Sequence, residues 1–103
     1  MLNIVKTAEG ANTVFELEGR LDTVTAPNLE QEIKDCIEDV QELVLNIEKL
    51  EYISSAGLRA ILAAQQYMEG KELPDVKVIN INEVISEIFT VTGFDTLIDV
   101  EME

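Results

Sequence analysis

Histidine is absent from this chain, and cysteine occurs once. The missing imidazole excludes Ser-His-Asp triads, Cys-His pairs and every histidine-bearing zinc site. A single thiol, Cys36, allows neither an internal disulfide nor a thiolate metal cluster, as expected of a protein kept in a reducing cytoplasm. Long apolar runs are missing too: "AILAA" at 60–64 is among the longest, far below the roughly 20 residues of a membrane-spanning helix. The start, "MLNIVKTAEG", lacks the basic opening and apolar stretch of a secretory leader. No phosphate loop, dinucleotide fingerprint or calcium loop occurs. An enzyme would be left with a carboxylate pair or a Ser-Lys arrangement, and no stretch singles out either. No catalytic residue, cofactor or metal ion is expected.

Basic residues are scarce: 7 Lys plus Arg stand against 21 Asp plus Glu, a formal net charge of −14. Such a chain is repelled by nucleic-acid phosphates and by anionic membrane surfaces, so neither is expected as a direct partner. A basic protein surface would be steered toward it. At 103 residues and 47% hydrophobic, the chain suits one domain, 1–103, with one core.

What is present is an alternation of strand and helix patterns. "LNIVK" at 2–6 and "TVFEL" at 13–17 are apolar and β-branched, with Gly10 and Asn12 supplying turn chemistry for a hairpin. "GRLDTVTAPN" at 19–28 breaks the pattern, with Thr25 as the expected N-cap and Pro27 in a first helical turn. Leu29, Ile33, Cys36, Ile37 and Val40 then recur at helical spacing. "ELVLNIE" at 42–48 reads as a buried strand. From Ala56 onward Leu58, Ile61, Leu62, Gln65 and Met68 make a helical stripe, which Gly70 is expected to close with a positive φ before Pro74.

"DVKVINI" at 75–81 is a further strand, and Asn82 caps a third helix with Glu83 in its first turn. Val84, Ile85, Ile88, Phe89 and Thr92 are its expected inner face, Gly93 its end, and "TLIDV" at 96–100 a last strand. The order is β-β-α-β-α-β-α-β. The β-α-β units require right-handed crossovers and a mostly parallel sheet, with the opening hairpin adding an antiparallel pair. The fold class is α/β: a mixed, mostly parallel sheet with packed helices.

The stretch "EYISSAGLRAIL" at 51–62 stands between a strand and a helix. Serine ahead of a helix is a preferred N-cap worth about 1 kcal/mol over alanine, and that role alone explains most such pairs. The position also allows more. Loops at the carboxyl ends of parallel strands are where open α/β sheets carry function. A phosphate at a helix N-terminus meets unpaired N–H groups and the positive end of the helix dipole.

Three fragments in order resemble the STAS-domain family, and within it the small bacterial anti-sigma-factor antagonists. They are "FELEGRLDTVTAPNLEQEI", "LVLNIEKLEYISSAGLRAIL" and "VISEIFTVTGFDTLIDV", which together span nearly the whole chain. Gly19, Leu21 and Asp22 match the family's Gly-x-Leu-Asp; Asn46, Leu50, Tyr52 and Ile53 match its strand end; Gly93 and Phe94 match its late helix end.

The resemblance implies a protein that captures an anti-sigma factor, often a histidine-kinase-like serine kinase, and so frees a sigma factor for transcription. The kinase ends the capture by phosphorylating a serine, and a PP2C-type phosphatase restores it. Anchored on Gly57 and Leu58, the register places the phosphoacceptor at Ser55. Ser54 stands where the family often has an acid, which makes it a rival acceptor, and Ala56 replaces the family's second serine. The implied partner surface comprises Asp22, Thr23, Ser54, Ser55, Ala56, Gly57 and Arg59. Asp22 is equally a turn or capping acid. Arg59, one helical turn past Ser55, could pair with Asp22, meet a phosphate or meet an acidic partner, though an exposed helix arginine is the more frequent outcome. Asn46 is expected to tie down the strand-end loop.

Two further classes remain open at this level. One is a STAS subunit of a membrane transport or sensory complex, with Ser55 a contact rather than a switch. The other is an enzyme or small-ligand carrier.

Overall fold

A computed structural model of the chain describes residues 2–10, 12–96 and 99–102. The elements are β1 (Leu2–Glu9), β2 (Asn12–Leu21), α1 (Ala26–Cys36), β3 (Glu42–Ile53), α2 (Ser55–Gly70), β4 (Lys77–Ile81), α3 (Glu83–Thr92) and β5 (Asp99–Met102), with short 3₁₀ turns at Ile37–Asp39 and Phe94–Thr96. The sheet runs β1-β2-β3-β4-β5. Its first pair is antiparallel and the other three are parallel. The mixed α/β architecture and element order follow the expectation from sequence.

Alternation places Phe15 and Leu17 of β2, Leu43, Leu45 and Ile47 of β3, and Val78 of β4 on one face of the sheet, all buried. Against them pack Leu29 and Ile33 of α1, Leu58, Ile61 and Met68 of α2, and Ile85 and Phe89 of α3. Phe89 and Phe94 meet as tilted rings 5.1 Å apart.

Several boundaries differ from the sequence reading, each for a local reason. β2 continues through Leu21 and β3 through Ile53, well past residues 17 and 48. In β3 the buried positions change from every second residue to every third: Leu43, Leu45 and Ile47, then Leu50 and Ile53. Two register shifts against β2 account for this, because each inserts one extra β3 residue. A run read only for period two ends too early.

The amphipathic pattern of α1 crosses into the 3₁₀ turn at Ile37. Thr25 precedes α1 but makes no side-chain cap. Gly70 is the last residue of α2, and the positive φ after it belongs to Glu72, at 58°. Gly93 does take the left-handed C-cap of α3, with φ 74°.

Val84 and Thr92 are exposed, so the inner face of α3 is narrower than its apolar pattern. β4 begins at Lys77 rather than residue 75, and the last strand at Asp99 rather than residue 96. The expected strand at 96–100 falls partly on 97–98, which lie outside the described residues, as does position 11 of the hairpin turn.

Gln65, placed by spacing in an apolar stripe, is 1% exposed but works as a polar clamp. Its Oε1 accepts the Val76 N–H at 2.7 Å, and its Nε2 donates to Asp75 at 2.9 Å and Glu69 at 3.0 Å. These bonds satisfy the buried amide where the chain enters β4.

Candidate functional site

The carboxyl ends of β2 and β3 lie side by side, with Leu21 and Ile53 as register partners. The backbone N–H of Ser54 donates to the Leu21 carbonyl at 2.9 Å, which ties the start of α2 to the end of β2. Both candidate segments, Asp22–Thr25 and Ser54–Arg59, therefore leave the sheet at one edge.

The two serines have different surroundings. Ser54 is the N-cap of α2: its backbone is extended, and its Oγ accepts the Gly57 N–H at 3.3 Å. Ser55 is the first helical residue and is exposed, and its hydroxyl has no hydrogen-bond partner among the described residues. Ala56 is half-buried beside it. Ser54→Ala is expected to cost about 1 kcal/mol of stability, whereas Ser55→Ala should leave stability unchanged or raise it by a few tenths. Urea unfolding of the two variants measures the contrast, and equal losses would contradict this division of labour.

Gly57 is buried and has no room for a side chain. A Cβ there would sit 2.8 Å from Leu21 Cγ, 2.9 Å from Ile53 Cγ1 and 2.9 Å from the Leu21 carbonyl oxygen. The glycine lets the first turn of α2 approach the end of β2 closely.

The loop after β2 is a hydrogen-bonded turn built on Asp22. Its Oδ1 accepts the N–H groups of Val24 at 3.0 Å and Thr25 at 3.1 Å. The Thr25 hydroxyl donates to the Arg20 carbonyl at 2.8 Å and accepts the Asp22 N–H at 2.9 Å. Thr25 thus closes the turn instead of capping α1. The N–H bond from Thr25, above all, holds the Asp22 carboxyl below its ordinary pKa. Asp22 keeps its turn-forming role and leaves Thr23 and Val24 exposed at the loop tip, Val24 at 81%.

Arg59 is exposed on the first turns of α2 and has no ion-pair partner among the described residues. The pairing of Arg59 with Asp22 is not formed. Asp22 instead faces Arg20, with Nε and Oδ2 at 4.0 Å, a surface contact of little energetic consequence. The Arg20 guanidinium lies over the Tyr52 ring, 4.4 Å from its centroid.

Sequence reasoning missed this Arg20–Tyr52 stack, and Val24 as an exposed apolar contact. The second bulge of β3 pairs Arg20 with Tyr52, and no pattern in either strand alone signals it. Asn46 acts within β3 rather than at its end: its Oδ1 accepts the Glu48 N–H and Asn80 Nδ2–H, each at 3.2 Å, and so braces the first bulge. Asn80 has a φ of 59°, which asparagine tolerates better than most residues.

Comparison with known proteins gives a consistent picture. The STAS domain family matches residues 3–103. An anti-sigma-B factor antagonist of Staphylococcus aureus is 24% identical over 100 residues, covering 96% of this chain and 92% of the relative. An anti-sigma factor antagonist from Mycobacterium paratuberculosis superposes with a TM-score of 0.82 at 23% identity, over 98% of this chain and 86% of that one. The Bacillus cell fate determinant SpoIIAA in its phosphorylated form gives 0.74 at 18% identity, over 100% and 93%.

Proposed function

The chain belongs to the STAS-domain family, and from that premise we propose that it is an anti-sigma-factor antagonist switched by phosphorylation of Ser55. The unmodified protein docks on an anti-sigma factor through Asp22, Thr23, Val24, the Ser54–Gly57 turn and Arg59. The captured factor, a histidine-kinase-like serine kinase, releases its sigma factor. The same kinase phosphorylates Ser55 and ends the capture, and a PP2C-type phosphatase reverses the modification. The protein is then a substrate and a switch, not a catalyst, and acts with soluble partners in the cytoplasm. The named function of the staphylococcal relative supports the antagonist role.

The observation that carries the choice of serine is the contrast between the pair. Ser54 is engaged as the helix cap, whereas the Ser55 hydroxyl is exposed and unengaged among the described residues. A phosphate there adds about −1.5 to −2 charges at pH 7 beside the positive end of α2 and asks for no refolding. Arg59, four residues further along the helix, supplies the cation one turn away.

The test is affinity capture from the host lysate with Ser55→Ala and Ser55→Asp as baits. The alanine bait should retain a kinase-fold anti-sigma factor that the aspartate bait loses. Equal retention of a transporter or sensory subunit by both baits would sink the antagonist reading.

A further inference from the structure

The helices that bury the core lie on one face of the sheet, and the other face is uncovered among the described residues. On that face Val14 and Val44 are register partners on β2 and β3. Val5 of β1 and Ile79 of β4 sit two residues further along, in the row that also contains Glu16 and Asn46. The four side chains form a shallow arc spanning three inter-strand gaps, about 14 Å. Val5 is 48% exposed, and Val14, Val44 and Ile79 are partly exposed. Two depressions of about 290 and about 560 Å³ open on this face, both lined by strand residues alone. Around the arc stand Glu16, Glu18, Glu42 and Glu48 against Lys49 and Lys77.

We propose that this open sheet face is a docking surface separate from the Ser55 edge. Its occupant is an amphipathic helix of a partner protein, with Lys or Arg flanking an apolar stripe. A sheet in a two-layer fold gains from burying both faces, and an apolar arc left in water marks a contact surface. The charge selects the partner. A second copy of this chain would set glutamate against glutamate and a net −14 against −14, whereas a basic helix is steered toward the face and its flanks neutralise it. Length agrees as well: an apolar stripe of about ten helical residues runs about 15 Å, close to the span of the arc. Ser55 lies at the start of α2, on the helical layer, so this surface stays available whether or not that serine is modified. The inference does not rest on the antagonist reading.

The test uses the intact ¹⁵N-labelled protein and a 14-residue amphipathic peptide of leucine and lysine, with its leucine–glutamate counterpart as control. At physiological salt the lysine peptide should bind saturably and shift the amides of Val5, Val14, Val44 and Ile79; the glutamate peptide should not bind. The double variant Val14→Thr/Val44→Thr keeps side-chain shape and β-branching, so it should fold, and its affinity should fall at least about tenfold. Ser55→Asp should bind the peptide unchanged. The proposal is overturned by unsaturable shifts spread over the acidic surface, by shifts confined to a separate depression between α1 and α2, lined by Ile33, Ala60, Ala64 and Tyr67, or by equal affinity in the double variant. Self-association through this face in sedimentation would overturn it as well, by assigning the face to a second copy.

Discussion

A phosphate installed on Ser55 is expected to weaken binding of the anti-sigma factor by at least about 100-fold. The hydroxyl it esterifies is exposed on the first residue of α2, at the edge shared with the Asp22 turn. In the proposed complex this point is covered. Arg59 and the positive end of α2 offset part of the charge, but covering it under a partner surface still costs a few kcal/mol of desolvation, and each 1.4 kcal/mol is a factor of ten in affinity.

Ser55→Asp should give a smaller loss, because a carboxylate has less charge and fewer acceptor oxygens than a phosphate. Calorimetric titration of the captured factor with unmodified and phosphoserine-55 protein measures the effect. A change below threefold would mean that Ser55 is not at the interface. Thermal unfolding of the modified protein should be unaltered or shifted slightly upward, since Ser54 rather than Ser55 holds the helix cap and the phosphate faces the positive end of α2.

Gly57→Val is expected to lower the unfolding free energy by about 3 kcal/mol, and Gly57→Ala by about 1 to 2 kcal/mol. The added Cβ would stand 2.9 Å from the Leu21 carbonyl oxygen, which also accepts the N–H of Ser54. Relief requires the start of α2 to move away from β2, and that breaks the bond holding the two segments at one edge. The opposing gain in helix propensity on replacing glycine by alanine is about 1 kcal/mol, less than the gross overpacking cost.

Gly70→Ala is the control. That glycine lies at the other end of the same helix, where an added Cβ would meet nothing within 4 Å and φ is not positive. Alanine there should leave stability unchanged or raise it by about 0.5 kcal/mol. Opposite signs at the two ends of one helix, measured by urea unfolding, separate close approach from propensity. Equal and stabilising effects would contradict the packing of Gly57. A displaced α2 start should also disturb partner binding, because Asp22 and Ser55 would no longer share their edge.

Much of this was legible in order along the chain. Helical spacing from Leu58 to Met68 and alternation in "LVLNI" marked the elements, because buried faces impose periods of 3.6 and 2 on any sequence. The serine pair between strand and helix marked the site, and Asn82 marked the start of α3, where its Oδ1 does accept the Ile85 N–H at 2.9 Å.

What failed to show depended on how the chain packs or turns rather than on local spacing. The bulges of β3 appear only against β2, and they lengthen both strands and stack Arg20 on Tyr52. Thr25 has the composition of a cap, yet its hydroxyl closes the Asp22 turn because the Arg20 carbonyl is brought within 2.8 Å. Val84 fits an apolar stripe by spacing and still faces solvent at 61%.

The sequence alone determined the class of fold, the absence of histidine chemistry, the acidic charge and the segment that carries the candidate switch, since these depend on composition and on local periodicity. Tertiary structure alone decided which serine is engaged as a cap, why position 57 must be glycine, and that one face of the sheet is uncovered among the described residues. Each of these depends on where a second strand or helix comes to rest, and side chains far apart in the chain share no local pattern that records it.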